Sequence, residues 1–152
     1  MVFAKTAKAA ARLSESIRNK EFNKCYLVIA DGKFEKERGV LEDYLLKNEK
    51  TNIVTVNEKG KDCVLNYEFI DYKDNYSLVK VNLITGRHHQ IRLQFASRNN
   101  PLYGDQLYGV LDKKQIALFA YHLRFKHPVK DEIMDFKIVP KTGIWSEFDY
   151  EA

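Results

Sequence analysis

The 152 residues, 45% hydrophobic and 30% charged, have the size and mix of one globular domain able to bury a single core. A net charge of +4 permits an anionic partner without demanding one. No apolar run is long enough to cross a bilayer as a helix and none resembles a secretory signal, which predicts a cytoplasmic chain with no membrane partner. Thr6 is placed to cap a helix running to about Asn19, with Ala10, Leu13 and Ile17 on one face. KCYLVIA (24–30) alternates Cys25, Leu27 and Ile29 against Lys24, Tyr26 and Val28, a strand pattern, and Asp31-Gly32 is a turn signal. The polar region 33–62 allows short strands at 39–46 and 52–56. Two stronger strands, 63–71 and 76–84, are joined by Lys73-Asp74-Asn75 as an antiparallel hairpin. Thr85-Gly86 closes it and predicts a helix over 88–98, where Ile91 and Phe95 lie four apart and the adjacent His88 and His89 point apart. Pro101 and Gly104 make 99–109 a loop, and a last hairpin pairs 117–126 with 132–139 around His127-Pro128. Strands outnumber helices and short turns join neighbours. The class is α+β, a mostly antiparallel sheet with flanking helices.

Charge is unevenly spread. Residues 1–24 carry Lys5, Lys8, Arg12, Arg18, Lys20 and Lys24 against Glu15 and Glu21. Residues 75–104 carry Lys80, Arg87, Arg92 and Arg98 against no acid, while the tail from Asp131 through Glu151 is acidic. Such polarity offers a positive face to a polyanion, although solvated surface explains it equally well. Cys25 and Cys63 each sit in an apolar run and read as core residues, and the four histidines lack metal-site spacing. The segment 85–92 remains. A helix starting there would present free amides to an anion, with Arg87 and Arg92 adding fork-shaped donors. With no acid in the segment, these arginines are expected to find their partners outside it.

LITGRHHQIRLQF (83–95) followed by NNPLYGDQLYG (99–109) resembles the signature region of the RluA-like family of RNA pseudouridine synthases, which carries a TGRxHQIR core and a GDxxYG loop. AKTAKAAARLSESIRNKEFNKCYLVI (4–29), with its K-x-Y strand, GKDCVLNYEFI (60–70) and LFAYHLRFKHP (118–128) are similar to further family segments in the same order. The resemblance implies isomerisation of uridine to pseudouridine in ribosomal or transfer RNA, with no metal and no cofactor. It implies that Arg92 pairs with a nucleophilic aspartate and that Tyr26 stacks on the flipped base as a candidate for removing its C5 proton. Ile91 would pack beneath that base. Arg87, His89 and Gln90 match motif positions that fix the loop and contact RNA, joined as RNA-binding candidates by Lys24, Arg12 and Lys8. Asp105 matches a structural aspartate. Gln94 and Phe119 stand where the family usually has histidines.

The family's aspartate lies in an HRLDxxTSG-like segment preceding the residues that match 1–6, and these 152 residues contain no such segment. The expectation is therefore an N-terminally truncated catalytic domain spanning 1–152, inactive alone and prone to self-association through exposed sheet edges. A non-catalytic RNA-binding remnant is the alternative.

Overall fold

The computed structural model describes residues 1–150, so Glu151 of the acidic tail lies outside the described residues. Helix α1 is Ala7–Arg18, and α2 is Gln90–Ala96. The strands are β1 (Asn23–Asp31), β2 (Arg38–Lys47), β3 (Val54–Val56), β4 (Lys61–Lys73), β5 (Tyr76–Leu83), β6 (Leu118–Lys126) and β7 (Ile133–Lys137). They form one antiparallel sheet in the order β3-β2-β4-β5-β1-β6-β7, with a 3-10 helix, Gly143–Glu147, after it. The α+β reading and both predicted hairpins stand, and the low-contrast strands at 39–46 and 52–56 become β2 and β3. Asp74 and Asn75 take positive φ of 53° and 70° to make the β4–β5 turn, which short polar side chains tolerate.

The central strands are covered on both faces. Along β1 the alternation sends Val28 and Ala30 into one core with Val79, Val81 and the α2 residues Ile91 and Phe95. Leu27 and Ile29 enter a second core with Leu78, Ala117, Tyr121 and Phe148. That is why Leu27 through Ala30 are all buried. Burial of a side chain such as Phe95 contributes roughly 1.5–3 kcal/mol, so α2 is held by packing rather than by its seven residues' intrinsic helicity. Cys63 is buried as expected, whereas Cys25 is only half-buried.

Two helices differ from expectation. Thr6 does cap α1, its hydroxyl oxygen accepting the Ala9 N–H at 3.1 Å, but of the predicted face only Leu13 is buried. Ala10 is exposed and Ile17 is 49% exposed, because the helix docks by Leu13 and by Arg12, whose Nη1 donates to Pro128 O at 2.9 Å. The second helix starts at Gln90, not at 88. His89 precedes it in a left-handed conformation (φ 53°), and the chain before it is a tight turn.

Glycine is required at two places near the site. Gly104 has φ +75°, and a β-carbon there would lie 2.2 Å from Gln115 O, so the loop after Pro101 closes only with glycine. Gly39 packs against the Tyr67 ring, and a β-carbon on it would lie 2.5 Å from Tyr67 Cε1, so a larger residue there would displace that side chain.

Candidate nucleic-acid and catalytic site

The turn from Thr85 to His89 is shaped from within by Gln90. Its Oε1 accepts the Arg87 N–H at 3.0 Å and the Thr85 hydroxyl at 2.9 Å, and its Nε2 donates to Val64 O at 3.1 Å. Thr85 Oγ1 in turn accepts the Val64 N–H at 2.9 Å, tying the turn to β4. Two sequence expectations are corrected here. Gln90 is 2% exposed, with its Oε1 and one Nε2 hydrogen engaged, so it sets the loop and is buried away from any RNA. The Arg87 N–H is taken by that side chain and the Gln90 N–H by Arg87 O at 3.2 Å, so neither of these two amides is open to an anion.

Arg92 on α2 meets the loop that follows the helix. Its Nε donates to Asp105 Oδ2 at 3.0 Å and its Nη2 to Oδ1 at 2.7 Å, a bidentate pair. Oδ1 also accepts the Leu107 and Tyr108 N–H groups, each at 3.1 Å. The Asp105 side chain is fully buried, while that of Arg92 is 21% exposed. Burial pushes the Asp105 carboxyl up, but the Arg92 fork and the two amides outweigh it and hold it below its ordinary value. The bond to Asp105 raises Arg92 in return, against its own burial.

His89 completes the cluster. Arg92 Nη1 lies 3.2 Å from His89 Nε2, and Tyr108 Oη lies 2.8 Å from Nδ1. A guanidinium only donates, so Nε2 must accept, which assigns the proton of the neutral ring to Nδ1 and makes Tyr108 Oη its acceptor. That oxygen also takes the Val54 N–H at 3.0 Å, linking the cluster to β3. Burial, then the Arg92 and His88 charges, lower His89 from its ordinary 6.5 and keep it neutral. His88 and His89 do not point apart. Their rings stack at 3.8 Å, because the left-handed His89 turns the chain before the helix begins.

The remaining arginines are paired too. Arg87 Nη2 meets Asp62 at 3.1 Å, and Arg98 Nη1 meets Asp43 at 2.7 Å. The acid-free segment thus borrows carboxylates from β4, β2 and the 105 loop, so its arginines do find partners outside it, and find them within the chain. Gln94 is buried beside Asp43, to which its Nε2 donates at 2.9 Å, and its Oε1 has no partner. Phe119 stacks edge-on to Trp145. Phe119 also lines a hollow of about 470 Å³ that shares no residue with the lining of the groove at Tyr26.

Tyr26 lies half-buried on β1 and packs against the core that contains Ile91, itself 5% exposed. Burial pushes the Tyr26 phenol up, so its resting form is neutral. Tyr26 also lines a groove of about 390 Å³ with Lys24, Leu13, Ile17, Phe22 and Phe136. Lys24 and Arg87 meet in a second cleft beside it. Lys8 is exposed on α1, whereas Arg12 is partly committed to Pro128. Sequence reasoning missed Tyr108, which gathers His89, β3 and the Arg92 guanidinium, 5.2 Å over its ring. The signal available was its place three residues after Asp105 in the GDQLYG loop.

Residues 1–97 match the family model described as RNA pseudouridylate synthase. An uncharacterized RNA pseudouridine synthase of Aquifex aeolicus (strain VF5) is 32% identical over 152 residues, covering 91% of this chain and 48% of the relative. The ribosomal large subunit pseudouridine synthase C of Vibrio parahaemolyticus is 31% identical, covering 89% and 46%. The chain therefore spans about half the length of the curated relatives it matches. Among solved structures, human RNA pseudouridylate synthase domain containing 1 superposes with a TM-score of 0.79 at 20% identity, over 91% of this chain and 62% of that one. At that identity the likeness shows the fold.

Proposed function

The chain belongs to the RNA pseudouridylate synthase family, and on that premise we propose that it is part of a catalytic domain converting uridine to pseudouridine in ribosomal or transfer RNA. The observation that carries this is the state of Arg92. Three of its five N–H donors are used by Asp105 and His89, and the side chain remains 21% exposed. A guanidinium so fixed has donors left for a second carboxylate. Asp105 cannot be that carboxylate's substitute in attack, since it is sealed from solvent and saturated.

In this reading an aspartate from outside these 152 residues attacks the flipped nucleotide, and Arg92 holds it ionised. The target must leave its stack to reach the groove. There Tyr26 supplies a stacking face with a polar tip, and Ile91 supports it from the core. Burial keeps the phenolic proton in place in the free protein. Removal of the C5 proton would require a base to take the phenolic proton first. Arg87, Lys24 and Lys8 supply contacts to the RNA backbone, His89 shapes the loop because both of its ring nitrogens are engaged, and Arg12 is a weaker contributor because Pro128 already holds it. A cytoplasmic location accords with this work, and no described helix is long and apolar enough to span a membrane.

The test is reverse-transcription mapping of pseudouridine in ribosomal and transfer RNA. The isolated chain should convert nothing, and a longer chain with an HRLD-like segment before residue 1 should convert specific uridines. Robust turnover by the isolated chain would sink these roles. RNA binding without conversion by the longer chain would favour the non-catalytic reading. Self-association is assigned to the β7 edge, where Ile133 and Phe136 are 54% and 51% exposed. A clean monomer in sedimentation at tens of micromolar (roughly where such contacts show) removes that assignment.

A further inference from the structure

Helix α1 stops in an unusual way. The Lys20 N–H donates to Ile17 O at 3.1 Å and the Glu21 N–H to Ser16 O at 2.9 Å. This pair of bonds requires the residue after the cap to be left-handed, a place that glycine normally fills. Here it is Lys20, with φ 58°. A β-carbon in that conformation crowds its own backbone, so a lysine kept there opposes local stability.

Its side chain lines a cleft of about 350 Å³ together with Lys24 and Arg87, over the apolar Ile17, Phe22 and Ile84. No carboxylate lines this cleft. Neither Lys20 nor Lys24 takes part in an ion pair among the described residues, and Arg87 has only its exposed contact with Asp62. Ile17, Phe22 and Lys24 also line the Tyr26 groove, so the two hollows adjoin. An apolar floor with unpaired cations at its rim suits one unstacked nucleotide, base inward and phosphate on the lysines.

We propose that this cleft holds the nucleotide next to the one presented to Tyr26, and that Lys20 is retained at a left-handed position to bind its phosphate. The inference rests on the RNA reading above and adds a subsite to it.

The experiment compares the whole chain with Lys20→Gly, Lys20→Arg and, as a control for general charge loss, Lys141→Ala. Binding of a fluorescein-labelled, uridine-rich single-stranded RNA dodecamer is followed by anisotropy between about 50 and 200 mM salt, and each variant is also melted. Lys20→Gly should bind about fivefold more weakly at the low-salt end, with a salt slope shallower by about 0.7. It should also melt about 3 °C higher, since glycine relieves the conformation. Lys20→Arg should bind within about twofold of the unchanged chain, and Lys141→Ala should match it, because arginine keeps the phosphate contact and Lys141 lies outside the cleft. Undiminished binding by Lys20→Gly, an equal loss from Lys141→Ala, or a lower melting point for Lys20→Gly would each overturn the subsite while leaving the RNA reading intact. Absence of any binding by the unchanged chain would instead overturn the RNA reading, and the subsite with it.

Discussion

The two basic regions of this chain look alike in sequence and have opposite fates in the fold. Arg87, Arg92 and Arg98 each find an aspartate, at sequence separations of 25, 13 and 55 residues. Lys20 just after α1 and Lys24 at the start of β1 find none among the described residues. The motif arginines thus form largely an internal scaffold, their side chains 39%, 21% and 34% exposed at Arg87, Arg92 and Arg98, and the two lysines are cations left without a carboxylate for an external anion. A run of like charge marks a binding face only when the fold brings no counter-charge to it.

The sharpest way to break this comparison is Asp105→Ala. It strands a mostly buried guanidinium and frees two amides, and should destabilise the protein by about 3–5 kcal/mol, lowering the melting midpoint by roughly 10 °C. A change within about 1 kcal/mol would mean that the arginine cluster is not a scaffold. Arg92→Ala comes next. Asp105 keeps its two backbone donors, so the loss should be about 2 kcal/mol in denaturant titration. RNA affinity of this chain should stay unchanged, whereas turnover by a longer, active chain should vanish. If Arg92→Ala weakens RNA binding as much as Lys8→Ala does, Arg92 is a phosphate contact and its proposed place in the active site is wrong.

A smaller effect separates His89 from the lysines. Its folded pKa lies below its ordinary 6.5, so the unfolded chain binds the proton more readily. Stability from the neutral ring is complete above that ordinary value and declines as pH falls through it toward the folded one. Asp105 behaves in the same sense at lower pH, from its ordinary 3.8 downward. Melting midpoints measured from pH 8 to 5 should fall on the acid side, and His89→Asn should flatten that limb. An unchanged limb would assign the titration elsewhere. The smallest effect is expected from Lys8→Ala, which should leave folding within about 0.5 kcal/mol and reduce the salt slope of RNA binding by about one. An unchanged slope would remove α1's exposed face from the RNA path.

Much of the architecture was legible because it is local. Alternation marked β1, β4 and β5, polar turn residues marked their ends, and Thr6 announced the start of α1. The motif order pointed to the right family because the glycine, arginine and aspartate of TGRHHQIR and GDQLYG sit at fixed short spacings. Where the reading failed, the deciding contact was distant. The start of α2 moved to Gln90 because that side chain folds back onto Val64, 26 residues away. The docking face of α1 turned because Arg12 reaches Pro128, 116 residues on.

The sequence by itself determined the class of fold, the family and the set of side chains from which a site could be built, since periodicity, turn chemistry and motif spacing are properties of neighbouring residues. Only the tertiary structure decided which of those charges are spent and which remain. Coulomb attraction between an arginine and an aspartate depends on their separation in space, and the antiparallel order β2-β4-β5-β1 brings together groups that the chain keeps far apart.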